Sequence, residues 1–150
     1  MTLRELFAIA WRPVTRTTAM RGWWRRWLGD EGERLATRHL RRLGYKILAR
    51  QYRNQWGEID LIALDGEGLV FVEVKTRRAD VPGHPVEAVT PTKQAKLTRL
   101  ALGFLKKKKL LDRTARFDVV SVVRPDGGGK PVVEHFRNAF PPVGRGQMFS

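Results

Sequence analysis

The chain has no cysteine in its 150 residues. Disulfides, thiolate metal sites and cysteine nucleophiles are thereby excluded, and a cytoplasmic location is the expectation. It has no apolar run near the roughly 18 residues of a membrane-spanning helix. The run from Leu6 to Trp11 also falls short of the ~7–15 residues of a signal-peptide core, so export is not expected. Acids are scarce as well. Asp and Glu number 15 against 29 Lys and Arg, for a net charge of +14. So large an excess in a short chain points to a polyanionic partner, either nucleic acid or an anionic membrane surface.

Several catalytic signatures are missing too. The glycines at 127–129 lack the following lysine-serine pair and helix of a phosphate loop. No serine sits in a nucleophile-elbow pattern. His39, His84 and His135 are far apart in sequence, without metal-ligand spacing, and read as surface or loop histidines. The length suits one domain with a proper core.

What is present centres on one predicted hairpin. Gly57-Glu58-Ile59-Asp60-Leu61-Ile62-Ala63-Leu64 and Leu69-Val70-Phe71-Val72-Glu73-Val74-Lys75 flank the turn sequence Asp65-Gly66-Glu67-Gly68. If Asp65 and Gly68 close the turn, Asp60 lies opposite Glu73 and Glu58 opposite Lys75. Opposed residues have Cβ atoms roughly 4.5–5.5 Å apart, and like charges there repel. A divalent cation between Asp60 and Glu73 would remove that repulsion, and Mg²⁺ is held by one or two carboxylates with waters and phosphates. The ordinary alternative is a pair of solvent-facing strand charges. Against it, both acids sit in apolar runs that suggest strands covered on both faces. Lys75 shares a face with Glu73 by the strand period.

Around the hairpin, the spacing predicts a helix from Asp30 to Leu43 ending at Gly44, with Ala36, Leu40 and Leu43 as its apolar stripe and Glu33 on the stripe or at its edge. Tyr45 to Tyr52 reads as a strand, and Arg77 to Pro85 as a loop. Thr90-Pro91 opens a helix whose stripe is Leu97, Leu100, Ala101, Phe104 and Leu105, with Lys93 one turn earlier. Lys106, Lys107, Lys108 and Lys109 cluster at its end, where cations suit the helix dipole and are also placed to meet phosphates. Arg116–Val123 and Val132–Phe136 read as strands. The order α-β-β-β-α-β-β implies a mixed sheet with one parallel crossover. Residues 1–29 hold six arginines, one acid and Trp11, Trp23, Trp24 and Trp27. They read as a loosely ordered extension, with Met20 offering a later start and contact to a membrane surface the weaker alternative. The domain then spans 30–140, with a tail over 141–150.

Gly32-Glu33, Gly44-Tyr45, Gly57-Glu58-Ile59-Asp60-Leu61-Ile62, Val70-Phe71-Val72-Glu73-Val74-Lys75-Thr76-Arg77, Lys93 and Arg116-Phe117-Asp118-Val119-Val120 together resemble the YraN family. That bacterial family is uncharacterised and is assigned to the PD-(D/E)XK, restriction-endonuclease-like superfamily. The resemblance covers about residues 30–140. It implies an α/β fold with an α-β-β-β-α-β core, a mixed central sheet flanked by helices, and here one extra C-terminal strand. It further implies that Asp60, Glu73 and Lys75 form a metal-dependent nuclease site. Glu33 would complete it as a further metal ligand, with Glu58 and Lys93 nearby. Asp60 follows isoleucine where the superfamily has proline. The implied function is cleavage of nucleic-acid phosphodiesters with Mg²⁺ or Mn²⁺. Nucleic acid, DNA before RNA, is the expected partner, with Arg77 and Lys106–Lys109 as its contacts. A non-catalytic nucleic-acid binder that retains the fold is the alternative.

Overall fold

The computed structural model describes residues 23–144. The expectations for residues 1–22 and 145–150 lie outside the described residues. Seven elements follow in order: α1 (Trp23–Arg42), β1 (Lys46–Asn54), β2 (Gly57–Asp65), β3 (Gly68–Arg78), α2 (Pro91–Lys107), β4 (Ala115–Arg124) and β5 (Val132–Phe140). The strands form a single five-stranded sheet in sequence order. Every neighbouring pair is antiparallel except β3–β4, which is parallel with α2 as the crossover. The fold is therefore the α/β architecture expected, with a core of a helix, three strands, a helix and a strand.

Alternation along the strands feeds two cores. Val70 and Val72 of β3 and Leu61 and Ala63 of β2 pack with Ala36 and Leu40 of α1. Leu69 and Phe71, with Ile62 and Leu64, pack on Leu97, Leu100, Ala101, Phe104 and Leu105 of α2. A strand covered on both faces reads as a continuous apolar run, which is how β3 and β4 read. Thr90 caps α2 by accepting from the Lys93 N–H, and Pro91 takes the first helical position.

Some boundaries differ from expectation. Helix α1 starts at Trp23 rather than Asp30. Gly29 does not stop it, since an interior glycine costs only about 1 kcal/mol relative to alanine. Its end is a Schellman motif: the Tyr45 N–H reaches the Leu40 carbonyl and the Gly44 N–H that of Arg41, with Gly44 at φ +90°. Leu43, in the last turn before Gly44, is 55% exposed and does not join the core. Close approach of α1 to the sheet depends on Gly32, where a Cβ would sit 2.0 Å from Thr76 Oγ1.

Strand β5 runs on to Phe140 instead of ending at Phe136. A register shift opposite Asp118 interrupts its pairing with β4. Asn138 has φ +49° there, and Asp118 accepts its N–H at 2.9 Å. The side chain replaces a ladder bond, so the strand continues through the irregularity and stacks Phe140 on Phe117. No helix among the described residues is long and apolar enough to cross a membrane.

Candidate functional site

The hairpin closes as its turn predicts. Asp65 pairs with Gly68, and the register runs back to Leu61 opposite Val72. Beyond that point the ladder gives way to a side-chain contact, in which Asp60 Oδ2 accepts the Val74 N–H at 2.8 Å.

The strands also turn over there. Ile59 and Ile62 both lie under α2, although strict alternation would put residues three apart on opposite faces. Between them, Leu61 packs towards α1, and Asp60 joins a carboxylate of α1. On β1, opposite, Arg50 pairs with Leu61 and Tyr52 with Ile59. Arg50 and Gln51 are consecutive, yet both face α1: Arg50 lines a cleft with α1 arginines, and Gln51 bonds to α1 acids. The reversal is made by Gln51, whose φ of +50° is rare for a residue with a Cβ.

This reversal assembles an acidic cluster. Glu33 of α1 and Glu58 and Asp60 of β2 each offer a carboxylate oxygen, all within 4.8 Å of one another. Gln51 Nε2 donates to Glu33 Oε2 at 3.1 Å and to Asp30 Oδ1 at 2.9 Å. Glu58 is also ion-paired to Arg53. Burial pushes the Glu33 carboxyl up to about 7, opposed by the Gln51 hydrogen bond and reinforced by Glu58 and Asp30. Burial pushes Asp60 up to about 8, reinforced by Glu73 and opposed by the Val74 N–H. A buried acid and a half-buried one that both resist ionisation, beside a third, are groups that a cation would stabilise in charged form.

Glu73 is buried and faces the other way, towards α2. Lys93 donates to its Oε1, and Lys75 Nζ lies 3.4 Å from the same atom. Burial and then the neighbouring Lys93 lower the Lys75 ammonium below the usual lysine range. For Lys93, burial acts in the same direction, but the Glu73 carboxylate outweighs it and holds the ammonium above that range. The charge of Glu73 still reaches Asp60.

Of the expected site residues, Glu33, Glu58, Asp60, Glu73, Lys75 and Lys93 thus lie in one neighbourhood. Their pairing differs from the hairpin expectation. Glu58 sits with Glu33 and Asp60 rather than across from Lys75, and Glu73 is engaged by two lysines. Arg77 donates to the Gly83 carbonyl. Lys106 to Lys109 lie at the far end of α2 from Lys93, about 20 Å away at a rise of 1.5 Å per residue. Sequence reasoning missed Gln51 and Asp30. No local signal marks Gln51, since glutamine is not a residue that favours positive φ.

The histidine expectation is corrected in part. His84 is exposed, as a loop histidine should be. His39 and His135 instead meet edge to face at 6.1 Å. His135 Nε2 lies 2.7 Å from the fully buried Asp118, which also accepts from Arg116. Arg116 in turn reaches Tyr45 Oη and Asp65. The sheet brings together residues that are remote in sequence, at the turn end of the hairpin and away from the acidic cluster.

The match to known proteins follows the same residues. The profile of the uncharacterised protein family UPF0102, the YraN family, matches residues 32–122. The chain belongs to this family. A UPF0102 protein of Geotalea uraniireducens is 47% identical over 113 residues, covering 75% of this chain and 88% of that protein. One from Geobacter sulfurreducens is 49% identical over 115 residues, with 75% and 88% covered. One from Pseudarthrobacter chlorophenolicus is 50% identical over 110 residues, with 73% and 83% covered. The span shared with the UPF0102 profile begins at Gly32, the close-packed glycine of α1, and includes Glu33, the hairpin and Lys93. Restriction-endonuclease-like architecture is consistent with the family and with the observed order of elements.

Proposed function

We propose that this protein is a divalent-cation-dependent nuclease that hydrolyses phosphodiester bonds of nucleic acid, DNA before RNA. The observation that carries the reading is the convergence of Glu33, Glu58 and Asp60 from a helix and a strand, next to the Glu73–Lys75–Lys93 group. The donors are all carboxylate oxygens, which suit a hard cation such as Mg²⁺ or Mn²⁺. Glu33, Glu58 and Asp60 hold the ion. When bound, it supplies charge neutralisation at a phosphoryl oxygen and a lowered pKa for water.

The protein's own groups do the rest. Gln51 fixes the Glu33 carboxylate. Lys93 neutralises Glu73, and the pair confines Lys75 beside the acids. Lys75 orients the attacking water and stabilises charge that develops on the phosphate. A protein that only bound nucleic acid would gain nothing from three acids clustered where phosphate must come.

The deciding experiment is a cleavage assay with Mg²⁺ and with Mn²⁺ over branched, flapped, single-stranded and duplex substrates. Metal-dependent cutting of at least one substrate, abolished by EDTA, is the expected result. No cutting of any substrate with either metal would overturn it in favour of the non-catalytic binder.

A further inference from the structure

Helix α1 carries Arg34, Arg38, Arg41 and Arg42 at helical spacing, so they share one face. Arg50 projects from β1, the edge strand of the sheet, towards the same face. Together with Thr37 these residues line an open cleft of about 430 Å³. Five guanidinium groups around one hollow repel one another, and like charges at i, i+4 on a helix are destabilising. None of the five forms an ion pair within the described residues. At the base of the cleft, Thr37 is 97% buried and its Oγ1 has no hydrogen-bond partner. A buried hydroxyl without a partner is uncommon and destabilising, so it marks a place where an acceptor or donor is missing.

The position is informative. Arg34 follows Glu33 in α1, and Arg50 precedes Gln51 in β1, so the cleft begins where the acidic cluster ends. Arg50 is near enough to Glu33 to favour its ionised form. Arginine presents a planar fork that matches phosphate oxygens in pairs.

We propose that this cleft is a phosphate-binding groove that holds the sugar-phosphate backbone of a nucleic-acid strand as it runs to or from the acidic cluster. This rests on the proposed nuclease reading, which supplies the strand, and it locates the backbone contacts on α1 and β1 rather than at the lysine run of α2. The arginines take non-bridging phosphate oxygens, and the Thr37 hydroxyl donates to one of them. Sequence is not read there, because backbone contacts carry no base information.

The test is binding of fluorescein-labelled single-stranded and duplex oligonucleotides to the full chain in EDTA, where no metal-dependent cutting occurs, across a salt series. Arg38→Ala/Arg41→Ala is compared with Lys106→Ala/Lys107→Ala, which removes the same charge. The cleft variant is expected to lose about tenfold in affinity and to flatten the log–log salt slope by about 1–2, one unit per lost phosphate contact. The lysine variant is expected to lose less than about threefold. Both should melt with the parent, because Arg38 and Arg41 are exposed on the helix. If the cleft variant does not fold, Arg50→Ala takes its place, with about half the change in slope.

Equal losses in the two variants, or a greater loss in the lysine variant, would overturn the assignment. Two competitors separate other sources of phosphate. Inorganic phosphate at millimolar concentration should displace the oligonucleotide weakly. Phosphatidylglycerol vesicles should neither bind through these arginines nor displace it. Vesicle binding that the cleft variant loses, without loss of oligonucleotide binding, would make the groove a membrane contact and overturn the proposal. Because binding is read without metal, a parent that binds through the cleft but never cuts removes the nuclease reading and leaves the groove standing.

Discussion

Gln51 donates from Nε2 to Glu33 Oε2 at 3.1 Å, from a backbone position with φ +50°. The same residue therefore turns β1 over and aims a carboxylate of α1. Gln51→Ala should lose the hydrogen bond and keep the strain, at a cost of about 1–2 kcal/mol. Gln51→Gly should lose the bond but relieve the strained φ, and be the more stable of the two. Urea denaturation checks the order. A glycine variant less stable than the alanine variant would mean that φ at 51 carries no strain.

Mg²⁺ or Mn²⁺ should raise thermal stability, by about 2.7 kcal/mol at a concentration 100-fold above the dissociation constant. Asp60→Asn should reduce that gain. It should also make the metal-free protein more stable than the parent, because it removes a half-buried carboxyl that resists ionisation. Thermal melts with and without metal read both effects. If variant and parent shift equally with metal, the ion binds elsewhere.

The third oxygen donor can be identified by contrast. Glu58→Gln should diminish the metal-induced shift as strongly as Asp60→Asn. Glu73→Gln should diminish it less, because Glu73 is engaged by Lys93 and Lys75. Cleavage should fall about 100-fold or more in Glu73→Gln and in Lys75→Ala, with nucleic-acid binding retained. Single-turnover cleavage and binding in EDTA separate the two. Unchanged cutting in both variants would remove Lys75 from the chemistry.

Asp118 provides a pH-dependent prediction away from the site. Burial alone would raise its pKa. Hydrogen bonds from His135, Arg116 and the Asn138 N–H outweigh burial and hold the carboxyl below its ordinary 3.8. The unfolded chain thus binds more protons at this group than the native state. The contribution is present above about 4 and is lost as the pH falls through the folded value. Asp118→Asn should cost about 3 kcal/mol near neutrality, since it leaves Arg116 short of its buried partner. The gap between variant and parent should narrow below pH 4. Urea midpoints across pH 3–7 test this, and a gap constant over that range would refute it. Cleavage per folded molecule should be unaffected.

The sequence showed the elements best where one local rule governs them. The Asp65–Gly68 turn set the hairpin register, Thr90-Pro91 set the start of α2, and the apolar runs of β3 and β4 showed burial on both faces. The residues that the fold gathers at the candidate site were legible because the family motifs contain them. Their partners were not, because the turnover at Gln51 and Asp60 depends on two strands twisting together, and no single residue type announces it. For the same reason Glu58 joined Glu33 and Asp60. His135 looked isolated because Asp118, Arg116 and Tyr45 reach it only through strand pairing and the end of α1. Nothing in the sequence joins the arginines of α1 to Arg50, which meets them only because β1 packs beside the helix.

Gly32 gives the site an adjustable gap. A methyl group there would act as a shim between helix and sheet, 2.0 Å from Thr76 Oγ1. One jaw of the acidic cluster, Glu33, rides on the helix, and the other, Glu58 with Asp60, is fixed to the sheet. Gly32→Ala should therefore open the jaws and shift the preferred ion from Mg²⁺, with oxygens at about 2.0–2.1 Å, towards Ca²⁺, at about 2.3–2.6 Å. Thermal shifts with each ion would register the change. An unaltered preference would mean that Thr76 swings its hydroxyl aside and the helix keeps its seat.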